Sequence, residues 1–228
     1  MLPTKQSACL LSTMNLPTRD SRTRLLDAAL AAFRRKGYSA TTVDDICGAT
    51  GLSKGSFFHH FKGKEDLALA TVEHWNQSTG ALFAHAPYQQ VADPRARLLA
   101  YLDFRTALLQ AGELPDVTCL LGTLVQETYD THPALRQACS GGIAGHADTL
   151  RPMIEAARAK YAPKARWTAE SLALFTQAAL QGAFIIAKSQ GSVQAALPLL
   201  AHLRAYVQGL LGGNAPAASA PRKLRSTA

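Results

Sequence analysis

The sequence lacks the patterns on which most metal-binding, membrane and enzymatic readings rest. Its four cysteines, at 9, 47, 119 and 139, form no C-x-x-C pair and no ligand spacing with the seven histidines. That excludes a zinc-finger or disulfide framework and leaves free thiols, with no metal site and no cofactor expected. No uninterrupted apolar run reaches the roughly 18 residues that a membrane span requires. Ala8-Cys9-Leu10-Leu11 is too short for the apolar region of an export signal, and no small-x-small site follows it. The expected location is the cytoplasm, with no membrane partner. G-x-S-x-G, H-E-x-x-H, Walker and G-x-G-x-x-G patterns are missing too, so an enzyme would have to rest on single residues, such as a Cys/His pair.

What is present is a helical pattern. In 228 residues, 47% of them hydrophobic, apolar positions recur at helical spacing and no run alternates in the manner of a strand. The fold class read from this is all-α, and no 33- to 47-residue period marks a solenoid. The net charge of +8 is uneven. Residues 1–66 hold ten basic against six acidic side chains and residues 67–221 eleven against ten, and Arg222, Lys223 and Arg225 end the chain. Residues 1–18 and 213–228 have Pro, Ala, Ser and basic residues without periodicity and read as disordered extensions, with Met14 a second candidate start.

Between them the spacing predicts a first helix over about Arg22–Lys36, ending at Gly37, and a second capped by Thr42 and stopping before Gly51. Ser53 caps a third that runs to about His59, and Gly63 with Glu65 and Asp66 opens a long fourth. Further on, Asp93-Pro94 starts a helix, another covers about Asp116–Asp130, and Pro133 begins one that Gly141-Gly142 and Pro152 kink or divide. Thr168 caps an apolar helix ending near Gly191, and a last helix carries Leu200, Leu203, Val207, Leu210 and Leu211.

Two short helices around a glycine turn, the second opening Ser-Lys-Gly-Ser, make a unit small enough for a DNA major groove. Its periodicity puts Leu52, Phe57 and Phe61 inside and Lys54, Gly55, Phe58 and His59 outside. Ser53, Ser56 and His60 are groups suited to phosphate oxygens, and Lys64 adds a charge at the next helix start. The adjacent Arg34-Arg35-Lys36 run reads as a solvated face completing the first helix's dipole.

From about Arg22 to Leu69, a stretch that contains LLDAALAAFRRKGYSATTVDDICGATGLSKGSFFHHFKGKEDL, the chain resembles the N-terminal domain of the TetR family of regulators. Gly37-Tyr38, Thr41-Thr42-Val43, Gly51-Leu52-Ser53-Lys54-Gly55 and His60-Phe61-x-x-Lys64 all fall in register. The resemblance implies a three-helix helix-turn-helix head at about 19–79, with its motif at 43–62, on a helical ligand-binding and dimerisation body at 80–212. It implies palindromic operator DNA, a second copy of the chain and a small-molecule effector as partners. It also implies phosphate contacts at Thr42, Ser56, His60 and Lys64, and base or groove contacts at Lys54, Gly55, Phe58 and His59. Phe58 departs from the family, which usually has tyrosine there. The lost hydroxyl removes one possible phosphate hydrogen bond but keeps a ring able to touch a thymine methyl.

For the body, Cys119, Tyr101, Phe104, Tyr129 and Phe175 are candidate ligand-binding or sensing residues, Cys119 as a sensor of a reactive or oxidised small molecule, and Trp75 and Phe83 are further pocket candidates, against a competing reading of ordinary core. Thr118-Cys119-Leu120-Leu121-Gly122 resembles a subgroup with a cysteine near the pocket. With no Lys, Arg or His within one turn of it, Cys119 also reads as a small hydrophobe. The expected dimer interface comprises Phe175, Ala178, Ala179, Gly182, Ile186, Leu203, Val207 and Leu210. The expected function is a repressor released from its operator by a small molecule. The alternatives are a thiol-dependent enzyme and a ligand-independent nucleoid-type DNA binder.

Overall fold

The computed structural model of the chain describes residues 20–212. The extensions expected at 1–18 and 213–228, with Cys9, Arg222, Lys223 and Arg225, lie outside the described residues. Within them the fold is all-α, with no strand.

Helix α1 (Ser21–Lys36) starts on the Asp20 carboxylate, which accepts from Thr23 N, and buries Leu25, Leu26, Ala29 and Phe33 on one face. Helix α2 (Val43–Thr50) is held by a reciprocal cap in which Thr42 and Asp45 each bond the other's backbone N–H. Helix α3 (Lys54–His60) begins at Ser53, whose hydroxyl accepts from Ser56 N, and turns Phe57 inward. Helix α4 (Lys64–Ala84) has no side-chain cap, and Glu65 and Asp66 occupy its positive first turn. The domain boundary expected at 79–80 falls inside this helix.

The body is built from α5 (Pro94–Gln110), α6 (Leu114–Val117), α7 (Leu120–Thr128), α8 (Pro133–Tyr161), α9 (Ala169–Ser189) and α10 (Leu197–Leu210). Short 3-10 turns at Pro87–Gln90 and Val193–Ala195 complete it. Helix α8 is the central post and packs against α4, α5, α7 and α9.

Two expectations are corrected here. The helix expected over Asp116–Asp130 is broken into α6 and α7, because Thr118 and Cys119 are extended and the Thr118 carbonyl accepts from Arg34 Nε at 3.0 Å instead of continuing a helical ladder. The helix from Pro133, expected to be kinked or divided, is not divided and runs over 29 residues. Pro152 and Asp148, whose carbonyl loses its helical donor to the proline, are both exposed residues on the side of α8 away from the core.

Two apolar clusters form. One joins Leu98, Tyr101, Leu150, Ile154, Leu172, Leu180, Leu200 and Val207 inside the body. The other joins Leu25, Phe33, Ile46, Phe57 and Leu67 of the head to Leu120, Leu124, Leu135 and Cys139 of the body. The head therefore completes its core with α7 and α8. Helix α9 is long and apolar enough, by length and composition, to cross a membrane. In this fold its Leu172, Ala173, Leu180, Ala183 and Phe184 side is packed into the body core.

Candidate functional site

The helix-turn-helix is α2, a turn and α3. The turn depends on Gly51, whose φ of 66° is left-handed and whose N–H closes α2 onto Cys47 and Gly48. Phe57 is fully buried, and this fixes the roll of α3 so that Lys54, Gly55, Phe58 and His59 face out. Phe58 is 57% exposed, which places it on the outer surface and not in the core. A Cβ added at Gly55 would meet only the Ser53 hydroxyl, so the backbone here is open to a close-approaching surface.

The polar side chains of this face are already oriented. Lys54 Nζ lies 2.8 Å from Asp44 Oδ1 in an exposed pair that bridges α3 to α2. The hydroxyls of Thr42 and Ser53 are tied to helix caps, and Ser56 N is the donor to Ser53. His60 Nε2 is 2.6 Å from Ser21 Oγ. Lys64 Nζ donates to the Tyr38 carbonyl at 3.1 Å and sits 4.3 Å from the centre of the Tyr38 ring. His60 and Lys64 thus brace the head as well as bordering its outer surface.

The joint between head and body was not foreseen. The Arg34-Arg35-Lys36 run is not a uniformly solvated face. Arg34 is half-buried, with its guanidinium 5.1 Å from the Trp75 ring and Nε on the Thr118 carbonyl, while Lys36 pairs with Asp45 at 2.6 Å. Burial lowers the Arg34 pKa, and the charge of Asp116 opposes that shift. Beside it the Glu127 carboxylate accepts from Tyr38 N at 3.2 Å and Ser39 N at 3.0 Å. Gly37 admits it, since a Cβ there would collide with that carboxylate.

Arg34 also forms part of the wall of a cavity of about 230 Å³ between α1, α4, α5, α6, α7, α8 and α9. The apolar lining is Trp75, Leu82, Phe83, Leu108, Val117, Leu121, Ile143 and Phe184; the polar lining includes Asn76, Arg105, Asp116, Thr118, His146, Gln177 and Gln181. Of the expected pocket residues, Cys119, Trp75 and Phe83 line it. Tyr101 is fully buried behind it with its hydroxyl 3.0 Å from His146 Nε2, and Phe104 packs on Phe83 and Tyr88. Tyr129 is 59% exposed and Phe175 lies on a different surface, so neither lines the cavity. Burial and the nearby Arg105 push the His146 pKa down to about 4, so its ring is neutral at pH 7. The Cys139 thiol, in the second cluster, is pushed up to about 12 by burial.

A third feature is an apolar groove formed by Phe175, Ala179, Gly182, Ile185 and Ile186 of α9 with Leu199, His202, Leu203 and Tyr206 of α10. Leu174, Phe175, Ile185, Ile186, Leu199 and Tyr206 are exposed on this side. Of the residues expected at an interface, Phe175, Ala178, Gly182 and Ile186 are exposed on one α9 face and Ala179 is partly so. Val207 is fully buried in the chain's own core, Leu203 is nearly so, and Leu210 packs against the same core. The outward positions of α10 are instead Leu199, His202 and Tyr206, one helical turn apart.

Residues 25–71 match the family profile "Bacterial regulatory proteins, tetR family", and residues 94–200 match "Transcriptional regulator LmrA/YxaF-like, C-terminal domain". The chain belongs to the TetR family. Among TetR-type relatives, it is 32% identical over 122 residues to the HTH-type transcriptional regulator LmrA of Bacillus subtilis (strain 168), covering 53% of this chain and 63% of LmrA. It is 50% identical over 46 residues to the HTH-type transcriptional repressor KstR2 of Rhodococcus jostii (strain RHA1), covering 20% of this chain and 22% of that protein. These matches therefore span less than two thirds of each relative. A crystal structure of a regulatory protein TetR from Rhodobacter sphaeroides superposes with a TM-score of 0.72 at 25% identity, over 80% of this chain and 96% of that one. The TetR head and body thus correspond to the two profile matches, joined by the uninterrupted α4.

Proposed function

We propose that this TetR-family chain is a dimeric, sequence-specific DNA-binding transcription regulator. In this reading it is a cytoplasmic repressor that leaves its palindromic operator when a small molecule fills the body cavity. The observation that carries the proposal is the physical continuity between the two parts. Helix α1, against which α3 packs, carries Arg34 in its last turn, and Arg34 is part of the cavity wall. A ligand that displaces the Trp75 or Thr118 contacts of Arg34 tilts the base of the head, and two heads held by one dimer then no longer match two adjacent grooves.

In contact with DNA, Gly55 and Phe58 approach the groove and Lys54 exchanges Asp44 for a base edge. Ser53, Ser56, Thr42, His60 and Lys64 border the phosphates. Lys64 can brace Tyr38 and meet a phosphate together, because an ammonium has three donors. The repressor reading draws support from KstR2, a repressor by name. An enzyme built on Cys119 and His146 gains no support, since a histidine with a pKa near 4 is too weak a base to activate a thiol at pH 7.

Footprinting on the DNA flanking the protein's own gene tests this. The expected result is a discrete protected palindrome. Uniform coverage would point to a nucleoid-type binder, and absence of protection would remove the DNA-binding reading.

A further inference from the structure

We propose that the cavity selects a small apolar carboxylate, whose carboxylate pairs with Arg105 and the Gln177 amide while its apolar part lies against Trp75, Leu121 and Ile143. This rests on reading the cavity as the effector site.

Four observations converge. The Arg105 guanidinium stands 5.1 Å from the centre of the Phe83 ring and 5.7 Å from that of Phe184, and among the described residues it makes no ion pair. Rings that hold the face of a guanidinium leave its N–H edge available, and that edge matches a carboxylate in a two-bond fork. Secondly, Gln177, one of the lining residues, is 4% exposed, and its Nε2 is buried without a hydrogen-bond partner. Burial raises the Tyr101 pKa, with Arg105 and then the neighbouring Gln177 amide opposing that shift, yet Gln177 Nε2 makes no bond of acceptable geometry. A buried donor with no acceptor is costly unless a ligand supplies one.

Thirdly, the charge balance favours an anion. Asp116 alone is acidic among the lining residues, and its charge acts on Arg34, where it opposes the lowering of the pKa by burial. Arg105 is left as the cation of the other group, next to a neutral His146. Lastly, about 230 Å³ is below the roughly 300–1,000 Å³ typical of drug-sized ligands, so the ligand is a small one.

The test uses full-length protein carrying Trp167→Phe, so that fluorescence reports Trp75 in the cavity wall, and it is done without DNA. Benzoate and cinnamate are titrated against benzamide and cinnamamide, which have the same apolar bodies without the charge. Each carboxylate is expected to bind roughly tenfold or more tightly than its amide. Arg105→Gln is expected to abolish that preference while leaving amide binding in place, and Arg105→Lys to restore part of it. Equal affinity for acid and amide in the parent protein, a preference that survives Arg105→Gln, or no binding of any probe at millimolar concentration would overturn the inference. None of these outcomes touches operator binding or release by a neutral ligand, which are measured with DNA present.

Discussion

The α3 face depends on a few side chains whose partners are now assigned. Lys54 is exposed and, among the described residues, pairs with the equally exposed Asp44, an ion pair of the kind that is given up at little cost. Lys54→Ala is therefore expected to relax base preference by about 1–3 kcal/mol at one position in each half-site, measured by competition among single-base operator variants. Wild-type discrimination in the variant would remove Lys54 from readout. His146 gives a different kind of prediction. Its folded pKa of about 4 is below the 6.5 of an unfolded histidine, so the unfolded chain binds the extra proton between those values. The stability linked to its neutral form is full above about pH 6.5 and is lost as pH falls toward 4. The loss has a slope of up to about 1.4 kcal/mol per pH unit. Urea unfolding at about pH 7 and about pH 5 checks this, with His146→Gln expected to lose stability less steeply than wild type.

At the scale of elements, periodicity and capping residues made most of the head legible. Thr42, Ser53 and Thr168 each cap the helix that the sequence places behind them. Thr42→Ala is expected to cost about 1 kcal/mol of unfolding free energy, because it removes the hydroxyl that accepts from Asp45 N while leaving the residue-42 backbone N–H on the Asp45 carboxylate. What was not legible is tertiary in origin. Nothing local in Val117-Thr118-Cys119 announces a break; the reason lies 84 residues away in Arg34, whose Nε takes the Thr118 carbonyl. The same contact explains why a run of three basic residues at a helix end could not be read as one face. Arg34→Ala leaves the carbonyl of a residue only 1% exposed without its donor, and is expected to destabilise the protein by about 1–3 kcal/mol in urea titration. A change within experimental error would mean that water or a shifted neighbour replaces the guanidinium.

At the scale of the molecule, the sequence marked α9 and α10 as too apolar to remain wet, but it could not separate the residues they spend on their own core from those left outside. Val207 and Leu203 turn inward, whereas Leu199, His202 and Tyr206 face out beside the exposed face of α9. The aromatic candidates sorted poorly for a related reason: helical spacing assigns a face, but the distinction between Tyr101 behind the cavity and Phe83 lining it depends on how α5 and α8 pack. A homodimer through the α9/α10 groove is expected to show about twice the 24.3 kDa chain mass by light scattering. Ala179→Glu, which puts a carboxylate into that groove, is expected to give the monomer.

The central claim is that two α3 helices, held by this dimer, read two halves of one site. Fluorescence anisotropy with the footprinted operator, intact and with one half-site scrambled, tests it most directly. Scrambling one half-site is expected to lower affinity at least about a hundredfold and to leave only salt-sensitive, nonspecific binding. Equal affinity for the two duplexes would contradict the account.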